Sequence, residues 1–390
     1  MQNPVYLDYN ATTPLDKRVL AQMMPYLTEH FGNASSIQHS FGWQADEAVK
    51  KARQQIADLI QASADEIYFT SGATESVNLA IKGVFEAFSS KGKHMVCLST
   101  EHKAVLDTYE YLQKKGADVT YLDVDTGGMI DLTAFEKAIR SDTVLVSIMM
   151  ANNETGVIQP IKAIAEICIR HNVLLFCDAS QAAGKIQVEV KDLGIPLLAF
   201  SGHKIYGPKG VGILYISRKN PRVTLVAQIH GGGHELGKRS GTLNVPGIAG
   251  IGMAAELTNR DMLQETLRLA GLRDRFENLL QNSIPNLKIN GNLEHRMTHV
   301  SNLVFPDVSA AELMNRIPFV ACAAGSACSA ADPSPSHVLK AMGLTDSEVK
   351  SSLRFSLGRF TTSDEIITAT QAIIVAYHEL QKNNLPLHRI

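Results

Sequence analysis

Between Ile67 and Ile216 the chain keeps returning to short β-rich runs separated by segments of helical periodicity, and nothing else narrows its fold as much. IYFTS, HMVCLST, VTYLDV, TVLVSIMM, VLLFCD and GVGILYI are the clearest runs, and the stretch LLAFS ahead of GHK is a further one. Segments such as ESVNLAIKGVFEAF and IKAIAEICIRH lie between them, with apolar residues at helical spacing. Several runs are apolar on both faces, which suits strands covered by helices on each side. The pattern predicts an α/β fold around a mostly parallel, seven-stranded sheet flanked by helices, with ligand sites at the carboxyl ends of strands.

After Pro246 the texture changes. A long helical stretch reaches about Asn282, and LKING, HVSNLVF and SSLRFSL follow, interleaved with helical patterns near Ala310, Ser336 and Asp364. At 390 residues, with 45% hydrophobic and 19% charged residues, the chain suits a well-packed large domain plus a smaller one. The expected division is a large domain over 15–255 and a small α/β domain built from 1–14 and 256–390. The small domain carries a loop at about 321–336, where GSACSAADPSPS has the small residues and prolines of a mobile segment.

A formal charge of −2 offers no broad field for nucleic acid or an anionic membrane, so neither is an expected partner. MQNPVYLDYNATTPLD has no basic region followed by an apolar one, and VPGIAGIGMAAEL is too short to span a bilayer. The five cysteines form no CxxC pair and their number is odd, which argues against a disulfide framework or zinc site and for a reducing cytoplasm. GGHELGKR imitates part of a P-loop, but Arg239 stands where a Ser or Thr should meet magnesium and no clear strand precedes it. HRMTH pairs two histidines without the glutamate of a zinc-protease helix, so a solvated or core pair is expected and no metal site.

Four features carry chemistry. In IYFTSGATESVNLA a strand, a glycine turn and a helix follow one another, so Gly72, Ala73 and Thr74 would present unpaired N–H groups to an anion, or merely start a helix. VLLFCDASQAAG ends a buried strand on Asp178, with Gln181 three residues on. That carboxylate needs a partner: a helix N-terminus, an arginine, or the protonated nitrogen of a heterocycle. LLAFSGHK ends another strand on Ser201, His203 and Lys204, a lysine able to condense with an aldehyde if its amine is partly neutral. Cys328, in GSACSA, has the small neighbours of an accessible thiolate, whereas Cys322, in FVACAAG, suits packing.

A phosphate cradle, an acid for a ring nitrogen and a lysine for an aldehyde together describe a pyridoxal-phosphate site. The sequence resembles the cysteine desulfurases, NifS/IscS-like, within the fold-type I pyridoxal-phosphate enzymes. YLDYNATTPLD, FTSGATESVNLAIKG, TEHKAVLDT, MMANNETGVIQP, CDASQAAGK, FSGHKIYGPKGVG, RSGTLNVPGIAG, GSACS and LRFSLGRFT carry the likeness over nearly the whole chain. It implies pyridoxal 5′-phosphate held covalently by Lys204, with Asp178 at the pyridine nitrogen and Gln181 at the ring's phenolic oxygen. His102 would stack on the ring, and Thr74, Ser201 and His203, beside Ala73, would bind phosphate. Thr242 would be a phosphate ligand donated by a neighbouring subunit, which implies a homodimer with shared sites. Arg354 would grip the substrate carboxylate, with Arg359 as its nearby competitor, and Asn153 would assist there or at the ring oxygen. Asn10 and His39 lie in matching blocks without a firm role.

The implied reaction converts L-cysteine to L-alanine and leaves the sulfur as a persulfide on Cys328, which passes it to an acceptor protein such as a cluster scaffold. Cys328 could also be a transient cluster ligand. GSACSAADPSPS resembles the family branch with a long cysteine loop. The chain closes at LPLHRI soon after its last helical pattern, without the tail that housekeeping members use for docking. The acceptor is thus open among a dedicated cluster system, tRNA thiolation and cofactor synthesis. The alternatives are a selenocysteine lyase or another β-eliminating enzyme of this fold, which would not require Cys328, and a non-catalytic docking subunit, which would not require the intact set.

Overall fold

The computed structural model of the protein describes residues 3–324 and 335–384. Short branched and aromatic runs become strands where both of their faces can be buried. After β1 (Val5–Tyr6) come β2 (Ile67–Thr70), β3 (His94–Leu98), β4 (Asp118–Leu122), β5 (Thr143–Ser147), β6 (Leu174–Asp178), β7 (Leu197–Ser201) and β8 (Gly212–Ile216). The last seven form one sheet of order β2-β8-β7-β6-β5-β3-β4, in which only β8 runs against its neighbours. The expected mostly parallel, seven-stranded sheet is therefore present. Only β4, at the edge, leaves residues exposed, and it is also the strand with the most polar sequence.

Helices cover both faces. They are α1 (Lys17–Thr28), α2 (Ser40–Ile60), α3 (Ala73–Ala87), α4 (Lys103–Gln113), α5 (Leu132–Ala138), α6 (Ile161–Arg170) and α7 (Val245–Ser283). Alternate strand residues feed opposite cores, as the two-residue period of a strand requires. Leu198 and Phe200 join the core under α2, α6 and α7, while Leu197 and Ala199 join the core under α3 and α4. The strand ends, and what they carry, are thereby fixed from both sides.

A second layer follows. β9 (Lys288–Ile289), β10 (Val300–Val304) and β12 (Ser352–Ser356) make an antiparallel sheet of order β12-β10-β9, and β11 (Val320–Ala321) pairs in parallel with β1. Helices α8 (Ala310–Arg316), α9 (His337–Ala341), α10 (Asp346–Lys350) and α11 (Ser363–Asn384) complete it. Leu303, Phe305, Leu353 and Phe355 build its core with Phe276, Ile366 and Ile373, and Val5 and Leu7 of the N-terminal segment belong to it too. The single helix α7 serves both cores, its Val245–Leu257 side chains packing in the first and its Leu269–Leu280 side chains in the second. Asn244 caps its start, and Pro246 sits in the first turn, where a missing N–H costs nothing. Among the described residues no helix is long and apolar enough to cross a membrane.

Candidate active site

The carboxyl ends of β2, β5, β6 and β7 converge on a cavity of about 390 Å³. Ala73, Thr74, His102, Asn153, Asp178, Gln181, Ser201, His203, Lys204 and Arg354 all line it, although the chain separates the first of them from the last by almost three hundred positions. Thr242 is exposed and lies outside this wall. Cys328 lies outside the described residues, as does most of the loop that carries it.

One end of the cavity is built for an anion. Helix α3 begins on Gly72, which supplies no side chain to cap it, so the first N–H groups keep their donor capacity. The turn sits hard against β8: a Cβ on Gly212 would stand 2.4 Å from the Gly72 carbonyl carbon, so only glycine admits it. His203 follows β7 in a short helical turn, and its Nδ1 meets Thr12 Oγ1 at 3.1 Å. Burial, reinforced by Lys204, Lys209 and Lys185, pushes its pKa down to about 4, which leaves a neutral ring beside the anion site. Glu75 also reaches the wall, but Arg239 Nε donates to it at 2.8 Å and neutralises its charge.

The other end is built for a ring and a carboxylate. Asp178 closes β6 with Oδ1 accepting the Ser180 N–H at 2.8 Å, so a local turn, rather than an arginine, is its protein partner. His102 caps α4, and its Nδ1 accepts the Ala104 N–H at 3.1 Å, which puts the proton of the neutral ring on Nε2. Lys204 Nζ donates to the carbonyl oxygens of Asn10 and Ala11 at 2.5 and 2.8 Å. Arg354, on β12, is only 1% exposed. Its Nη1 donates to the Asn153 carbonyl at 2.9 Å and its Nη2 to Asp8 Oδ1 at 2.6 Å, while the buried Nε has no partner among the described residues. Arg359 is held elsewhere, donating to Asp16 and Glu265 and lying over the Tyr206 ring.

Asn10, left without a firm role in the sequence, is a hub: its carbonyl accepts from Lys204 and Gln181, its Nδ2 donates to the Asn153 carbonyl at 3.1 Å, and its Oδ1 meets His299 Nε2 at 3.0 Å. Sequence reasoning missed other members. Asp8 orients Arg354, and Lys209 adds a cation to the wall. Glu101, fully buried beside His102, accepts the Met149 N–H at 2.7 Å through Oε1, and its Oε2 has no partner among the described residues. Burial holds that carboxyl well above its usual range, and the charge of Asp178 adds to the effect. Of the sequence's decoys, GGHELGKR forms a short turn in which buried Glu235 pairs with Arg53. In HRMTH, His299 is a core residue bonded to Asn10.

An uncapped helix start flanked by Ser201 and His203, a lysine amine and a buried carboxylate fit pyridoxal 5′-phosphate. Phosphate would go to the α3 terminus, the aldehyde to Lys204 and the ring nitrogen to Asp178.

The aminotransferase class-V family model matches residues 5–368, and the chain therefore belongs to the aminotransferase class-V family. Within it, the chain is 50% identical over 390 residues to the cysteine desulfurase IscS of Anaeromyxobacter sp. (strain Fw109-5), covering 100% of this chain and 96% of the relative. A solved NifS-like protein superposes with a TM-score of 0.90 at 36% identity, over 96% of this chain and 100% of that one. The structure described as SspA in complex with cysteine superposes with a TM-score of 0.82 at 37% identity, over 92% of this chain and 100% of that one.

Proposed function

We propose that this protein is a pyridoxal-phosphate-dependent cysteine desulfurase that converts L-cysteine to L-alanine and hands on the sulfur as a persulfide on Cys328. The observation that carries the reading is the convergence of Lys204, Asp178, the uncapped α3 terminus and the half-paired Arg354 on one cavity. The likeness to relatives named cysteine desulfurase, and to a protein solved with cysteine, supports the choice of substrate.

When bound, the cofactor supplies an electron sink that acidifies the substrate α-carbon. Asp178 would hold a proton on the cofactor's ring nitrogen, and Gln181 would donate to its phenolic oxygen. His102 would cover the ring face as an acid–base group. Arg354 takes the substrate carboxylate on the guanidinium edge that Asp8 and Asn153 leave open, and those two partners fix its plane. Lys204, which would anchor the cofactor, would also move the proton of the substrate α-carbon through its Nζ. The Cys328 thiolate attacks the substrate sulfur, the carbon–sulfur bond breaks with its electron pair staying on the carbon fragment, and that fragment is protonated and leaves as L-alanine. The thiol proton of the pair ends on alanine, so the step needs no outside oxidant or reductant.

The choice of Cys328 is supported from the other cysteines. Cys97, Cys168, Cys177 and Cys322 are all buried, and burial pushes the thiols of Cys168 and Cys322 up to about 12 and those of Cys97 and Cys177 well above their usual value. A thiolate is the nucleophile, so none of the four suits attack on substrate sulfur.

A homodimer with Thr242 reaching a partner's phosphate site belongs to the same reading. Exposed apolar residues on α1, α2 and the segment joining them, among them Leu27, Phe31, Ile37 and Trp43, supply apolar surface for a second copy. The sulfur acceptor is a second protein, and the cytoplasm is the proposed location.

Incubation with L-cysteine and a reductant should yield alanine and sulfide one for one. Without reductant, the peptide holding Cys328 should gain the mass of one sulfur atom. Release of pyruvate and ammonia with no mass gain would overturn the assignment. Arg354→Lys keeps the charge and loses the fork, so kcat/KM for L-cysteine should fall on the order of 100-fold, about 2.7 kcal/mol, chiefly through KM. Steady-state kinetics check this, and an unchanged KM would remove Arg354 from substrate binding.

A further inference from the structure

Lys185 is a partly buried basic side chain that the mechanism above does not use. It sits four residues after Gln181, in the turn that follows β6, and lines a small separate cavity of about 20 Å³ behind the main one. Burial, reinforced by the cations Lys204 and Arg354, pushes its pKa down to about 7. His203 and His299 feel its charge in turn, and Glu265, the carboxylate in the same small cavity, is engaged by Arg359 at 2.5 Å. A lysine kept among cations at such cost needs a structural or functional return.

Its polar contact names one. Lys185 Nζ donates to Gln181 Oε1 at 3.1 Å, while Gln181 Nε2 donates to the Asn10 carbonyl at 3.1 Å. Flipping the amide would set its NH2 against the lysine donor and its oxygen against a carbonyl, two repulsions in place of two hydrogen bonds. The charged lysine can only donate; once neutral its amine still donates, and the repulsion between a flipped amide oxygen and the Asn10 carbonyl remains. Asn10, the second clamp on the amide, is itself fixed by Asn153, His299 and Ser356.

We propose that Lys185 is a positioning residue that acts through Gln181, holding its amide so that the NH2 edge, and never the carbonyl, is offered to the phenolic oxygen of the cofactor. This rests on the pyridoxal-phosphate reading given above. A donor at that oxygen stabilises its anionic form and lowers the pH at which the absorption band of the bound cofactor changes; losing the donor raises that pH.

The test is a spectroscopic pH titration of the holoenzyme, with thermal unfolding as a control on integrity. Lys185→Met should shift the transition upward by about one pH unit, a tenfold change in the equilibrium. Lys185→Arg, which keeps a donor, should stay within a few tenths of a unit of the natural protein. In a Gln181→Met background, Lys185→Met should add nothing. A coloured, stable Lys185→Met protein that titrates like the natural one would overturn the proposal, and so would a shift of equal size without Gln181. If Lys185→Met does not fold, Lys185→Leu, which likewise carries no donor, gives the same comparison. Protein that never takes up the cofactor would instead refute the cofactor reading itself, so the two failures are distinct.

Discussion

Lys204→Ala yields a folded chain that no longer holds its cofactor covalently and whose turnover of L-cysteine is lower by at least about 10⁴-fold. Two roles vanish together: the covalent bond that anchors the aldehyde, and the amine that moves the α-proton. The fold survives because the backbone around Lys204 is held independently. Gly202 accepts the N–H groups of Ile205 and Gly207 at 3.1 and 2.9 Å, and its own N–H donates to Val211 at 3.1 Å. The bonds lost with the side chain are those to the carbonyls of Asn10 and Ala11, worth about 1–3 kcal/mol if left unmet. Absorbance after extensive dialysis and single-turnover kinetics measure both effects. Retained colour with near-normal turnover would show that another amine does the work.

Cys328→Ser separates the cofactor's chemistry from sulfur transfer. The variant should keep its colour and its spectral response to L-cysteine, while alanine and sulfide formation fall by about 10³-fold or more, since a serine hydroxyl is not ionised at neutral pH and cannot take up the sulfur. No other described cysteine can stand in. Cys322 is the nearest in sequence, but it packs in the second core with a thiol pushed up to about 12 by burial. Parallel assays of alanine, sulfide and absorbance make the comparison. Undiminished turnover would point to a β-eliminating lyase that expels its leaving group without a protein thiol.

The sheet was legible because most of its strands are short and apolar on both faces, a pattern that survives without any knowledge of neighbours. The order of those strands was not, since pairing β2 with β8 joins segments that only the folded chain brings side by side. For the site, strand ends marked Asp178 and Lys204, and a glycine turn before a helix marked Ala73 and Thr74. The partners of these residues were harder to see. Asp8 and Arg354 are 346 positions apart and meet only because the N-terminal segment crosses beside β12. The clamp of Lys185 on Gln181 did leave a trace, a four-residue spacing in QAAGK, but the segment is a turn and helical spacing alone would not have singled it out. Glu101 was not singled out in the sequence, and only its depth shows that burial holds its carboxyl well above the usual range.

The assignment of one amine is the point on which the rest depends, and the cavity offers rivals. Lys209 lines the same wall, and Lys185, with a pKa pushed down to about 7, lies just behind it. Reduction of the holoenzyme with borohydride, followed by proteolysis and mass mapping of the pyridoxyl label, decides among them. The label is expected on the peptide SGHK, at Lys204. A label on Lys185 or Lys209, or no label on protein that is yellow before reduction, would contradict the account.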